Sequence, residues 1–202
     1  MAYIGINQRI PISIIEMALS SAINGTYSTE YAVELASTEF DGENRQKKAA
    51  LIIKRLTLDN PLFEYIKENK DLVFSALKYN DDRATIMSAL ISSAYPIGYD
   101  VLETMGKYFH VQDVLRTETI VNRMSAKYGS NRSLPNALYS VLPMFIEAGL
   151  INRPQAGEYS MNRLSPITEI ANELYKRAFF VNNPNLSQDS IPEDHPYFEY
   201  FS

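Results

Sequence analysis

The sequence predicts a mainly α-helical protein in which an N-terminal helical bundle, residues 1–99, packs on a smaller unit, residues 100–181, made of helices and one short β-hairpin. Three observations predict it. Through the first 110 residues, apolar side chains recur at the three- and four-residue spacing of a helix with one buried face. These segments are punctuated by Asn24-Gly25, Asp41-Gly42, Asn60-Pro61 and Pro96-Ile97-Gly98 rather than by long loops. Residues 150–153 and 158–161 then form two short extended arms around a turn over 154–157, Pro-Gln-Ala-Gly, which is a hairpin pattern.

Residues 13–23 place Ile14, Ile15, Met17, Ala18, Ala22 and Ile23 on one broad apolar face, and Asn24-Gly25 closes that helix. Ser28 carries the side-chain acceptor that a helix start needs. The helix it opens buries Tyr31, Ala32, Leu35 and Phe40 before Asp41-Gly42 breaks it. Residues 43–58 follow, with Ala49, Leu51, Ile52, Ile53 and Leu56 inside and Arg45, Lys47, Lys48, Lys54 and Arg55 on the wetter side. At Asn60-Pro61 a short helix starts, because Asn caps and the N–H that proline lacks has no partner in a first turn. Another helix covers 72–79, closed by Asn80-Asp81-Asp82. Residues 83–95 are apolar nearly all round, which predicts a central, buried helix.

In the second unit a helix over 100–110 leads through a short extended piece, 111–116, into a helix over 118–128 capped by Thr117, with Ile120, Val121 and Met124 on one face. After a turn at Gly129-Ser130-Asn131, Ser133 caps a longer helix with Pro135 in its first turn. That helix packs Leu134, Ala137, Leu138, Val141, Leu142 and Phe145, and Gly149 can take the left-handed conformation that ends it. The hairpin follows, and an amphipathic helix over 166–180 closes the unit. The tail, 182–202, is rich in proline and acids yet holds Tyr197, Phe198, Tyr200 and Phe201. A disordered tail rarely carries so many aromatics. Part of it is expected to dock on the body; the alternative is a partner-binding peptide.

Charge narrows the functional classes. The chain has a net charge of −5, but residues 116–163 hold six basic side chains (Arg116, Arg123, Lys127, Arg132, Arg153, Arg163) against three acidic ones. The flanking stretches, 1–115 and 164–202, are each −4. One basic segment inside an acidic protein suits local phosphate contact; the alternative is chance clustering on a solvated face. There are no cysteines, which excludes disulfides and thiolate metal sites and fits a reducing compartment. The stretch 84–99 is broken by Pro96 and Gly98 and is too short to span a bilayer, and residues 1–17 do not have the pattern of a secretory leader. A soluble, cytoplasmic protein is expected.

The order helix, helix, turn, helix, and then Phe145-Ile146-Glu147-Ala148-Gly149-Leu150-Ile151 running into a two-stranded wing, resembles the winged-helix DNA-binding modules. The resemblance covers roughly 80 of the 202 residues. It implies that the second unit is winged-helix-like and that the start of its recognition helix enters the major groove of double-stranded DNA. Asn131, Arg132, Ser133, Asn136 and Ser140 occupy that start, where Arg can pair with guanine and Asn with adenine. Arg123, Lys127 and Arg153 would then contact phosphate. The four cations Arg123, Lys127, Arg132 and Arg153 are expected to converge on one positive face. Pro143 departs from the pattern, since it removes a backbone hydrogen bond in mid-helix.

A second resemblance spans more of the chain. The short N-terminal helices, the segment IIKRLTLDNPLFEYI (52–66) with Lys54-Arg55-Leu56, and the winged-helix-like part look like the BrxA family, small accessory proteins of bacterial BREX phage-defence systems. It implies DNA binding within a larger protein assembly. The competing expectation is a protein–protein adaptor whose acidic bundle and aromatic tail dock a partner while the winged helix is structural.

Enzymatic chemistry is not expected. His110 and His195 stand 85 residues apart without metal-ligand spacing, and His110 reads as a cation at a helix C-terminus. No glycine-rich phosphate loop, nucleophile elbow or HExxH occurs. Glu34, Glu39, Asp41 and Lys47 lack the strand-borne spacing of a nuclease site. Neither cofactor nor metal is implied.

Overall fold

The computed structural model describes residues 4–129, 131–186 and 194–202. Helices α1 (Ile12–Ile23), α2 (Thr29–Ser37), α3 (Glu43–Leu56), α4 (Phe63–Glu68), α5 (Lys70–Ala76) and α6 (Asn80–Ala94) form the N-terminal part. Then come α7 (Pro96–Phe109), β1 (Val114–Arg116), α8 (Thr117–Tyr128), α9 (Leu134–Ala148), β2 (Ile151–Gln155), β3 (Glu158–Met161) and α10 (Glu169–Asn182). The protein is mainly helical with one small antiparallel sheet, ordered β1-β3-β2.

Helix α6 is the centre. Twelve of its residues, from Asp82 to Ala94, are buried, and it packs against α3, α7, α9 and α10. Small side chains permit that crowding, and their hydroxyls turn inward: Ser92 Oγ donates to Ser88 O at 2.8 Å and Ser93 Oγ to Asn60 Oδ1 at 2.9 Å. One continuous apolar core therefore joins the two halves, and the boundary expected between residues 99 and 100 falls inside α7.

Several local expectations need correction. Asn80-Asp81-Asp82 opens α6 rather than closing α5. The two carboxylates also reach across the fold, where Asp81 Oδ2 accepts from Ser165 N at 2.8 Å and Asp82 Oδ1 from Thr168 N at 3.1 Å. Pro96 begins α7 at its first position instead of separating two helices. Leu51 is not inside; it stands 68% exposed among the cations of α3. Neither Thr117 nor Ser133 caps through its side chain. Ser133 N instead donates to Asn131 Oδ1 at 3.0 Å. Thr117 grips the hairpin turn twice, with its N–H and its hydroxyl both donating to Gly157 O at 2.8 and 3.1 Å.

The predicted hairpin forms, and residues 114–116 add a third strand to it, with Leu115 opposite Tyr159 and Ile151 opposite Met161. The ladder slips by one residue between Asn152 and Gln155, where Pro154 has no N–H to donate. Because β2 is an edge strand, the slip is tolerated. Gly149 ends α9 in the left-handed conformation, at φ 93°.

The tail returns to the body. Tyr197 and Tyr200 are completely buried, Tyr197 stacking on Tyr175 with ring centroids 4.3 Å apart. Tyr200 OH donates to Leu102 O at 2.9 Å, and Leu164 N to Tyr200 O at 2.8 Å. Gly106 of α7 leaves room for the Pro196 carbonyl, whose oxygen would lie 1.9 Å from a Cβ at that position. Residues 187–193 of the tail lie outside the described residues. No helix among the described residues is long and apolar enough to cross a membrane.

Candidate nucleic-acid interface

Helix geometry divides the predicted site residues into two groups. At 100° per residue, Arg123 and Lys127 of α8 lie on the side opposite Val121 and Ser125. They turn toward α7. Lys127 Nζ donates to Asp100 Oδ1 at 2.5 Å, and Arg123 Nε to Tyr108 OH at 2.5 Å with its guanidinium over the Tyr108 ring. Asp100 is only 6% exposed, so Lys127 neutralises a buried carboxylate. Tyr128 OH completes that carboxylate at 2.6 Å, and burial together with the Asp100 charge pushes the phenol's pKa up. The expected convergence of four cations on one face is not what forms: Arg123 and Lys127 serve the α7–α8 packing.

The other two cations do meet. Val121, Thr117 and Ser125 of α8, one side of α9 and the hairpin enclose a groove of about 690 Å³. Arg132, just before α9, and Arg153, in β2, both line it, as does Asn131. Arg132 and Arg153 are exposed and have no ion pair among the described residues. Arg153 sits within the stretch of β2 where the ladder slips, next to Pro154.

Along α9 the exposed face runs Pro135, Asn136, Tyr139, with Pro143 and Ile146 half-buried beyond. Ser133 and Asn136 are open to solvent. Ser140 is not: it is 2% exposed, and its hydroxyl donates to Asn136 O at 2.7 Å. It lies a full turn after Asn136, where the face rolls against the body, so it is removed from the set of base-reading residues.

Two features were not anticipated. Tyr139 is 76% exposed at the middle of this face, and Val121, expected in the core, forms the opposite wall. Tyr139 was legible in spacing, because Asn136, Tyr139 and Pro143 repeat at i, i+3 and i+7, away from the core stripe of Leu134, Leu138, Val141 and Phe145. Asn136 and Tyr139 also border Arg9 and Arg45 from the N-terminal part.

Among the described residues, no group of three or more acidic or histidine side chains is placed to hold a metal. The two histidines are apart: His110 Nδ1 faces Glu199 at 3.2 Å, and His195 Nε2 faces Glu103 at 3.6 Å. No family model, curated protein or solved structure matches this chain.

Proposed function

We propose that the chain is a non-enzymatic DNA-binding accessory protein whose α7–β3 segment is a winged helix, with α9 as the recognition helix and β2–β3 as the wing. The observation that carries the reading is topological. A helix, a strand, two helices and a hairpin follow in order, the first strand pairs with the last, and the exposed start of α9 and the wing share one cation-bearing groove. In this proposal Arg132 and Arg153 contact the backbone or a guanine edge, Ser133 and Asn136 face the bases, and Asn131 holds the turn into α9 through Ser133 N. Arg123 and Lys127 keep their structural partners. So few cations imply modest affinity that falls with salt.

The layout around residues 52–66 supports placing the protein in the BrxA family of BREX phage-defence systems, hence in the cytoplasm and in a larger assembly. The test is a fluorescence-anisotropy titration of a labelled duplex at several salt concentrations. Arg132→Ala with Arg153→Ala is expected to weaken binding several-fold and to flatten the plot of log affinity against log salt by about two units, at about 0.9 per phosphate contact. Unchanged affinity in that double variant overturns the placement.

A second reading rests on the apolar wall formed by Val121, Tyr139, Pro143 and Ile146. Such a wall suits a protein segment, and the adaptor function then replaces DNA binding. A wild-type protein that fails to bind duplex at low salt favours it.

A further inference from the structure

We infer that the DNA-facing surface does not stop at the winged helix but continues along a trough onto α3, where Arg45 and Lys48 supply further phosphate contacts; this rests on the DNA-binding reading above. Neighbouring hollows of the surface share walls here. Tyr139 borders the groove between α8, α9 and the hairpin, and it also borders a depression holding Asn7, Arg45 and Asn136. Asn7 in turn borders a third depression, walled by Lys48 and Leu51. The three hollows are neighbours in that order, so the face of α9 that carries Asn136 and Tyr139 borders the basic helix of the N-terminal half.

Helix α3 is built for such a role. Arg45 and Lys48 are three residues apart and therefore on one face, whereas Arg55, further along α3, is held by the Ala94 carbonyl at 2.9 Å and the Tyr95 ring. Lys48 is exposed and has no ion pair among the described residues, and Arg45 is exposed and rests on the Phe40 ring 5.0 Å from its centroid. Leu51 stands exposed three residues beyond Lys48, a position that local core packing does not explain.

Among the described residues neither cation forms an ion pair; of the acids lining these hollows, Asp59 is held by Lys54 at 3.0 Å and Glu39 lies in the wall beside Arg45. A partner with evenly spaced negative charge fits a strip that runs across two halves of the protein. A nucleic-acid backbone has that spacing, and no sequence-specific contact on α3 is needed.

The experiment uses the full chain and a labelled duplex long enough to reach from the hairpin to α3. Arg45→Ala with Lys48→Ala is expected to lower affinity several-fold and to reduce the salt slope by about two units; Lys48→Ala alone should remove about one. The single variant keeps the test valid if losing the Arg45–Phe40 contact disturbs folding. A slope equal to wild type in both α3 variants, with a reduced slope in the Arg132/Arg153 variant, overturns the extension and leaves the α9 placement standing. The converse supports the α3 contacts and removes the α9 placement. No binding by the wild type overturns both.

Discussion

Gly106→Ala tests how the C-terminal tail is held. A Cβ at this position would lie 1.9 Å from the carbonyl oxygen of Pro196 and 2.9 Å from its carbon. Both are main-chain atoms of the turn that seats Tyr197, so no side-chain rotation relieves the clash and the tail must move by more than 1 Å. Tyr197 OH lies 2.6 Å from Ser92 Oγ, and Tyr200 OH 2.9 Å from Leu102 O, and neither hydrogen bond survives such a shift. Overpacking costs about 1–3 kcal/mol, and each lost hydrogen bond about 1 kcal/mol. Against this, alanine is preferred to glycine within a helix by about 1 kcal/mol. The net expectation is a loss of about 2–4 kcal/mol, or a fall in Tm of roughly 5–15 °C for a chain of this size. Thermal unfolding followed by circular dichroism measures it, and amide exchange at Leu164 and Ser202, which bond within the tail bridge, reports whether the tail is the part that loosens. A Tm at or above that of the wild type, the result that helix propensity alone predicts, would refute the reasoning.

Lys127→Ala should separate structure from binding. It strips a nearly buried Asp100 of its cation while Tyr128 OH still donates, so a destabilisation of about 1–2 kcal/mol is expected with little change in duplex affinity, whereas Arg132→Ala should do the reverse. Chemical denaturation paired with anisotropy distinguishes them; equal losses in affinity would show that both cations face the ligand. His195 predicts a pH effect. Burial against Phe179 and Phe198 lowers its pKa from the ordinary 6.5, and Glu103 only partly opposes this. The folded protein thus takes up this proton less readily than the unfolded chain, so the associated stability is complete above about pH 6.5 and is lost as pH falls below it. The Tm of the wild type minus that of His195→Gln should decrease on acidification; a constant difference is the contrary outcome.

The helices and hairpin were legible because each is announced by local chemistry: Ser28 accepts from Tyr31 N at 3.0 Å as an N-cap should, and Gly149 takes the left-handed turn. What composition could not convey is which way a side chain is pulled by a distant partner. Asp81 and Asp82 read as a helix stop because their real targets, Ser165 and Thr168, lie some 85 positions away. Lys127 counted as a surface cation for the same reason, its partner Asp100 being on another helix. Leu51 sits in an apolar run, yet its azimuth on α3 points it away from the core. In the candidate site, charge marked only the basic segment 116–163, and the winged-helix resemblance singled out Arg132 and Arg153 within it, whereas Tyr139 lies on the face left over outside the core stripe of α9. Ser140 shows the limit of counting polar residues near a helix start, because its hydroxyl satisfies the helix's own carbonyl.

The double grip of Thr117 on Gly157 has a consequence for recognition. With the tip of β2–β3 tied to the first turn of α8 through both main chain and hydroxyl, the hairpin cannot swing as an independent arm. A ligand entering the groove therefore meets a wall that is already shaped and forfeits little motional freedom on closing against it. Under the proposed function, discrimination between ligands then comes from how well each fits that fixed opening, not from remodelling of the loop around whichever one arrives.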